Sequence, residues 1–200
     1  MDLVPTLISS GWASGINAWA TVLVLGLLGR AGFGTEVVPE QLTETPILVG
    51  AGVMYAIEFV TDKVPYVDNL WDLISTAVRP AIGSAIGLEY ASADNLDGID
   101  QALAGGGSGA IALLSHGVKA GLRLGINASP EPFSNILASL TEDGLVVAVT
   151  AFAFEQPEIA AAIAVLLLLC GIAIVVFIWT RIRRAVALLR RRYGRAPPSR

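Results

Sequence analysis

The chain has 200 residues, of which 54% are hydrophobic and 15% are charged. This composition lies far from that of a soluble domain and indicates an integral membrane protein. Eight of the thirteen basic residues lie in positions 181–200, so the formal net charge of −4 averages an acidic body and a basic tail. No nucleic-acid partner is expected, and the single cysteine, Cys170, excludes an intrachain disulfide.

The first apolar segment, residues 3–29, is predicted to be a retained membrane span. It lacks the basic start and the small-residue cleavage site of a secretory signal. Gly11 and Gly15 form a GxxxG pattern in it, and small residues let helices approach closely. This face is predicted to pack either within the bundle or between the two chains of a homodimer. Asn17 follows about one turn later and could hydrogen-bond to another helix.

Five further apolar segments follow, so the sequence predicts six transmembrane helices in one domain, residues 1–180. The segments are residues 47–61, 69–91, 101–124, 135–154 and 159–180. The last has no charge and is long enough to cross a hydrocarbon core of about 30 Å. The arginines of residues 181–200 mark a cytoplasmic tail that would contact anionic lipid headgroups. An even number of spans then places both termini in the cytoplasm.

Two of the six helices are predicted to be broken or half-length. The third segment carries Arg79-Pro80, and the fifth carries Glu142, Asp143 and Gly144. Proline removes a backbone donor and glycine loosens a helix, so both segments are expected to be irregular near mid-depth. If both were re-entrant, only four full spans would remain, and the termini would still share a side.

A short motif recurs at an offset of about 65 residues and predicts two internal repeats, residues 46–92 and 101–156. DKVP begins at Asp62 and NASP begins at Asn127, each between two apolar segments. The same offset pairs Glu58 with Arg123. Internal repeats are a common way to build membrane transporters, whose sites lie at the interface between the repeats.

Opposite charges form stripes on two of the predicted spans. Glu58 and Asp62 share one face of the second span, whereas His116, Lys119 and Arg123 share one face of the fourth. An ionisable residue at the bilayer centre costs about 2.5–3.5 kcal/mol, so such stripes face the bundle interior and pair there. We therefore expect Glu58 and Arg123 to stabilise each other across the two repeats.

These charges predict a translocation site for a small polar or charged solute at the repeat interface. The basic residues would contact an anionic group, and Glu58 or Asp62 would carry a coupling proton. The predicted site residues are Glu58, Asp62, Asp68, Asp72, Arg79, His116, Lys119, Arg123, Asn127 and Asn135.

Two other interpretations remain open at this point. The charges could form a salt-bridge scaffold that binds nothing, and the chain could be a non-transporting module that binds a lipid headgroup or a protein partner. His116 would suit a proton relay, or it could be a simple hydrogen-bonding residue.

An enzyme is not expected. A GxSG motif at residues 106–109 is followed by His116, but eight residues along a helix span about 12 Å, beyond the reach of a nucleophile and its base. The glycine run also lacks the Lys-Ser/Thr of a phosphate-binding loop. No spacing typical of metal ligands appears, so neither a cofactor nor a metal is expected.

Three segments carry a resemblance to a known family. They are DKVPYVDNLWD from Asp62, RPAIG from Arg79 and HGVKAGLRLGINASPEPFSN from His116. The chain resembles, over roughly residues 5–160, a bacterial multi-pass membrane family catalogued as domain of unknown function 4126. The resemblance implies a protein of the bacterial cytoplasmic membrane and the importance of Asp62, Pro65 and Asp68. It implies no substrate.

Overall fold

The computed structural model describes residues 3–33, 38–64, 66–127 and 132–193. Pro65, Pro130 and the tail after residue 193 lie outside these ranges. Within them the chain is all-helical, as predicted, with a short 3-10 helix, Glu40–Thr43, and seven α-helices. The α-helices are α1 (Leu3–Ile16), α2 (Ala18–Arg30), α3 (Thr45–Thr61), α4 (Val67–Ala93), α5 (Gly98–Ile126), α6 (Pro132–Phe152) and α7 (Pro157–Tyr193).

The first apolar segment folds back on itself at Asn17. This residue has extended backbone angles, φ −149° and ψ 99°, and it separates α1 from α2. Thr6 of α1 and Leu25 of α2 line one small cavity. In an unbroken helix these two residues would lie about 28 Å apart. The prediction of a single span over residues 3–29 is therefore wrong, because α1 and α2 form a hairpin with Asn17 at its tip.

The hairpin decides how the start of α1 lies relative to the end of α7. Leu3 and Phe154 pack against the same apolar cluster, and Phe154 lies just before α7 begins. From there α7 runs alongside α5, with Gly171 near Val118 and Ile178 near Gly125. The start of α1 and the end of α7 therefore lie at opposite ends of the bundle. The expectation that both termini lie on one side does not agree with this arrangement.

The helix breaks predicted in α4 and α6 are absent. Helix α4 continues through Pro80 for 27 residues, and α6 continues through Gly144 for 21 residues. Gly109 of α5 leaves room for the carbonyl oxygen of Pro80, which would lie 3.0 Å from a Cβ at that position. Helix α4 thus packs closely on α5 at Pro80 and stays helical despite the lost backbone hydrogen bond. The alternative with two re-entrant segments at these positions is wrong, because each of these segments would need such a break.

Two helices of the described chain are long and apolar enough to cross a membrane, namely Phe133–Phe152 and Pro157–Arg190. Helices α2 and α3 are apolar but shorter. The protein is therefore a helical chain with two candidate membrane-spanning helices. Because α7 continues to Tyr193, the arginines from Arg181 to Arg192 extend the last predicted span as part of the same helix.

The glycine face of α1 packs against α5 within the chain. A Cβ at Gly11 would lie 2.7 Å from the carbonyl oxygen of Ser108. At Gly15 a Cβ would overlap the Ala112 carbonyl oxygen and the Ser115 hydroxyl. Of the two alternatives for this face, packing within the bundle is the one observed. A homodimer stays a prediction and would need another surface.

Candidate functional site

All ten predicted site residues lie in one buried network of hydrogen bonds and ion pairs. Each is at most 9% exposed. The network forms where the ends of α3 and α5 meet the first half of α4. It consists of Glu58, Asp62, Asp68, Asp72, Arg79, His116, Lys119, Arg123, Asn127 and Asn135.

Two helix faces supply most of these side chains. Asp68, Asp72 and Arg79 follow helical spacing on the buried face of α4. His116, Lys119 and Arg123 do the same on α5. The two faces lie against each other, and the α3 carboxylates complete the network from the side.

The acidic stripe of α3 pairs with the basic stripe of α5 mainly through Lys119. Its Nζ donates to Asp62 Oδ2 at 2.6 Å and lies 3.7 Å from Glu58 Oε1. Arg79 of α4 binds Glu58 more closely, with Nη2 2.7 Å from Oε1. The carboxylate of Glu58 therefore forms ion pairs with both Arg79 and Lys119.

Arg123 binds carboxylates of three different segments. Its Nη2 lies 2.6 Å from Glu142 Oε2 in α6 and 3.3 Å from Asp62 Oδ2. Its Nη1 lies 3.5 Å from Asp68 Oδ2 and donates to Asn135 Oδ1 at 2.9 Å. No contact joins Arg123 to Glu58 among the described ion pairs, so the expected direct pairing of these two side chains is wrong. Arg123 lies one helical turn beyond Lys119 along α5, which places it out of contact with Glu58.

His116 occupies a fixed place between Arg79 and Thr76. Arg79 can only donate, so the His116 Nδ1 that lies 2.7 Å from Arg79 Nη1 accepts this hydrogen bond. The Nε2–H group then donates to Thr76 Oγ1 at 3.0 Å, and Thr76 in turn donates to the carbonyl oxygen of Asp72. A neutral histidine can form both hydrogen bonds, one as acceptor and one as donor. This geometry favours the interpretation of His116 as a hydrogen-bonding residue over a proton relay.

The tip of the α1–α2 hairpin lies inside the network. Lys119 Nζ donates to the carbonyl oxygen of Ile16 at 3.0 Å, and Arg79 Nη1 donates to that of Gly15 at 3.3 Å. These carbonyls end α1 and carry the negative end of its dipole, which cations stabilise. The two buried cations thus hold both the carboxylates and the broken backbone.

Asn17 joins the other side of the tip to α6. Its Oδ1 accepts from the backbone N–H of Ala20 at 2.9 Å and so caps the start of α2. Its Nδ2 donates to Asp143 Oδ1 at 3.0 Å. The predicted interhelical hydrogen bond of Asn17 is confirmed, and its partner is a buried carboxylate near the positive end of the α2 dipole.

Glu142 and Asp143 also belong to the network, although the predicted site did not include them. Their signal was a pair of acids within an otherwise apolar segment. Glu142 is the most exposed member, with 15% of its side chain accessible. Together with Lys119 it borders a mostly apolar cavity of about 260 Å³ between α1, α5, α6 and α7. At this point the network comes closest to the surface of the bundle.

No metal centre is visible in the part of the chain that the structure describes. Within those ranges, no three histidine, cysteine, aspartate or glutamate side chains converge to hold a metal ion. The charged side chains instead bind one another, the hairpin carbonyls and the amides of Asn17, Asn127 and Asn135.

Comparison with known proteins gives one match. A family model described as a domain of unknown function, DUF4126, matches residues 4–177. The matched range includes the hairpin and every member of the charged network. No curated protein and no solved structure matches the chain.

Proposed function

We propose that this chain, which belongs to the family catalogued as domain of unknown function 4126, carries a small polar or charged solute across a membrane. It would act as a small transporter or channel-like protein of the bacterial cytoplasmic membrane. The single observation that carries this proposal is the helical hairpin whose broken tip lies among buried charges.

Broken helices have a physical cost in a membrane. Non-helical backbone at membrane depth is tolerated where protein buries it or where it lines a water-filled cavity. Half-helices at transporter sites use this arrangement, because their free ends bind ions and charged groups. Here α1 ends on Arg79 and Lys119, while α2 begins next to Asp143. A scaffold would need the ion pairs but would have no need of the break.

The helix boundaries support the proposed repeat. Asp62 and Asn127 are the C-cap residues of α3 and α5, and each backbone N–H bonds to the residue four positions before it at 2.8 Å. The helices that follow begin at Val67 and Pro132. Both pairs differ by 65 positions, which is the offset of the sequence motif. The proposed repeats would thus share the helix ends that place Asp62 and Asn127 in the network.

We expect five crossings, by α3 to α7, and a re-entrant hairpin of α1 and α2. Exposed arginines on α7, from Arg181 to Arg190, support a cytoplasmic end in contact with anionic lipid headgroups. The N-terminus would then lie outside. Reporter fusions at the two ends should report opposite sides of the membrane, and fusions that report the same side would contradict this topology.

Water access to the hairpin tip distinguishes transport from scaffolding. Ser115 is fully buried and donates to the Trp12 carbonyl oxygen near the tip. In a Cys170→Ser background, we expect Ser115→Cys to react with a membrane-impermeant, charged thiol reagent added from one side of the membrane. A carrier or channel must open the site to water, whereas a closed scaffold keeps it dry.

Val146→Cys is the matched control, because Val146 is equally buried but lies in the apolar cluster with Trp12 and Ala13. It should stay unlabelled in folded protein. If Ser115→Cys reacts only after unfolding, from whichever side the reagent is added, the transport proposal fails. The scaffold and the lipid-binding module would then be the better accounts.

A further inference from the structure

The charged network contains more acids than cations. Its three fully buried cations are Arg79, Lys119 and Arg123, and half-buried Lys63 lies at the rim, where it donates to Ser139. Against these four stand six carboxylates, namely Glu58, Asp62, Asp68, Asp72, Glu142 and Asp143. Two negative charges therefore lack a counter-charge if every acid is ionised. An uncompensated charge in a dry interior costs several kcal/mol per ion, so the site favours uptake of a cation over an anion.

Five of the six carboxylates accept a hydrogen bond from a cation or from an amide side chain. Glu58, Asp62 and Glu142 each accept from a cation at 2.6–2.7 Å. Asp68 accepts from Asn127 Nδ2 at 3.0 and 2.8 Å and lies 3.5 Å from Arg123. Asp143 accepts from Asn17 and lies near the start of α2, where the helix dipole supplies about half a positive charge.

Asp72 is the exception. It is 4% exposed, and neither of its carboxyl oxygens has a hydrogen-bond donor within the described residues. The nearest cation, Arg79, lies 3.4 Å away, and its two terminal nitrogens donate to Glu58, His116 and Gly15. The other charged groups around Asp72 are Lys119, Arg123 and Asp62. A buried carboxylate without donors is unfavourable, whereas a protonated carboxyl can itself donate.

We propose that Asp72 binds a proton in this site, and that this proton is the cation which the site exchanges with solution. The inference rests on the proposed function. It places the proton on Asp72 instead of the predicted Glu58 or Asp62, since both of these carboxylates are bound by cations. The carboxylate takes one proton from water on the open side and becomes a neutral acid. It returns the proton to water when the site opens to the other side. A metal ion would need several converging ligands, whereas a proton needs one oxygen.

Infrared spectroscopy of the reconstituted protein tests this assignment. At neutral pH, the wild type should show a protonated-carboxyl carbonyl band that shifts in D₂O, because the proton exchanges with solution. Asp72→Asn keeps the size of the neutral acid and should remove the band. Asp100→Asn, an exposed aspartate, should leave it unchanged. Asp72→Glu should move the band without removing it.

Several results would overturn the inference. The band could be absent from the wild type, or it could be present there but fail to shift in D₂O. It could also persist in Asp72→Asn, or be lost in Asp143→Asn and not in Asp72→Asn. If Asp72→Asn does not fold, Asp72→Glu provides the test. A band that keeps its position in Asp72→Glu would show that the proton is bound by another group. Thiol labelling at Ser115→Cys reports the proposed function separately. Labelling without the infrared band would contradict only the proposal that Asp72 binds a proton. The band without labelling would contradict the transport proposal.

Discussion

Replacement of Arg123 by alanine is expected to lower the free energy of unfolding by about 3–5 kcal/mol. The guanidinium is fully buried and binds the carboxylates of Asp62, Asp68 and Glu142. Its removal leaves buried negative charge unpaired. Unfolding by SDS in mixed micelles, followed by tryptophan fluorescence, would measure the loss.

A double-mutant cycle identifies the partner. Glu142→Gln added to Arg123→Ala should recover part of the loss, because the two side chains meet at 2.6 Å. Glu58→Gln should recover little, since Glu58 binds Arg79 and Lys119 instead. Rescue by Glu58→Gln but not by Glu142→Gln would contradict the network described above.

Replacement of Gly15 by alanine should also be costly, by about 1–3 kcal/mol. The added methyl group would overlap the backbone carbonyl oxygen of Ala112, which cannot rotate away. Helix α1 would have to move away from α5 and take with it the Ile16 carbonyl that binds Lys119. The same unfolding measurement should show this loss, and Ser115→Cys labelling in this background should change because the hairpin tip moves.

Gly106→Ala provides the control for this substitution. Gly106 lies in α5, and no atom lies within 4 Å of the position where its Cβ would stand. Alanine there should be neutral or stabilising by up to about 1 kcal/mol, because alanine favours a helix over glycine. Equal losses at Gly15 and Gly106 would show that helix propensity, and not the contact with α5, explains the effect.

Part of the charged network could be identified from the sequence alone. Isolated charges in apolar segments must pair in the interior, so Glu58, Asp62, Lys119 and Arg123 could be identified without knowledge of their partners. Partner choice required the fold. Arg123 lies one helical turn after Lys119 along α5. At that position Glu142 of α6 is closer than Glu58 of α3.

The position of the helix break could not be predicted from local signals. Pro80 is the strongest helix breaker in a span, yet α4 passes through it and packs closely on α5 at Gly109. Asn17 is a weaker breaker, and its segment reads as a continuous apolar helix. There the break is stabilised by groups distant in sequence, since Arg79 and Lys119 bind the freed carbonyls and Asp143 binds the Asn17 amide.

The sequence by itself therefore determined an all-helical, apolar chain with a buried set of opposite charges, because composition and the cost of isolated charge are local properties. Only the tertiary structure decided that α1 and α2 turn back and that the start of α1 and the end of α7 lie at opposite ends of the bundle. The physical reason is that a helix in a membrane continues unless other groups satisfy its free backbone. Those groups come from α4, α5 and α6, which only the fold brings to Asn17.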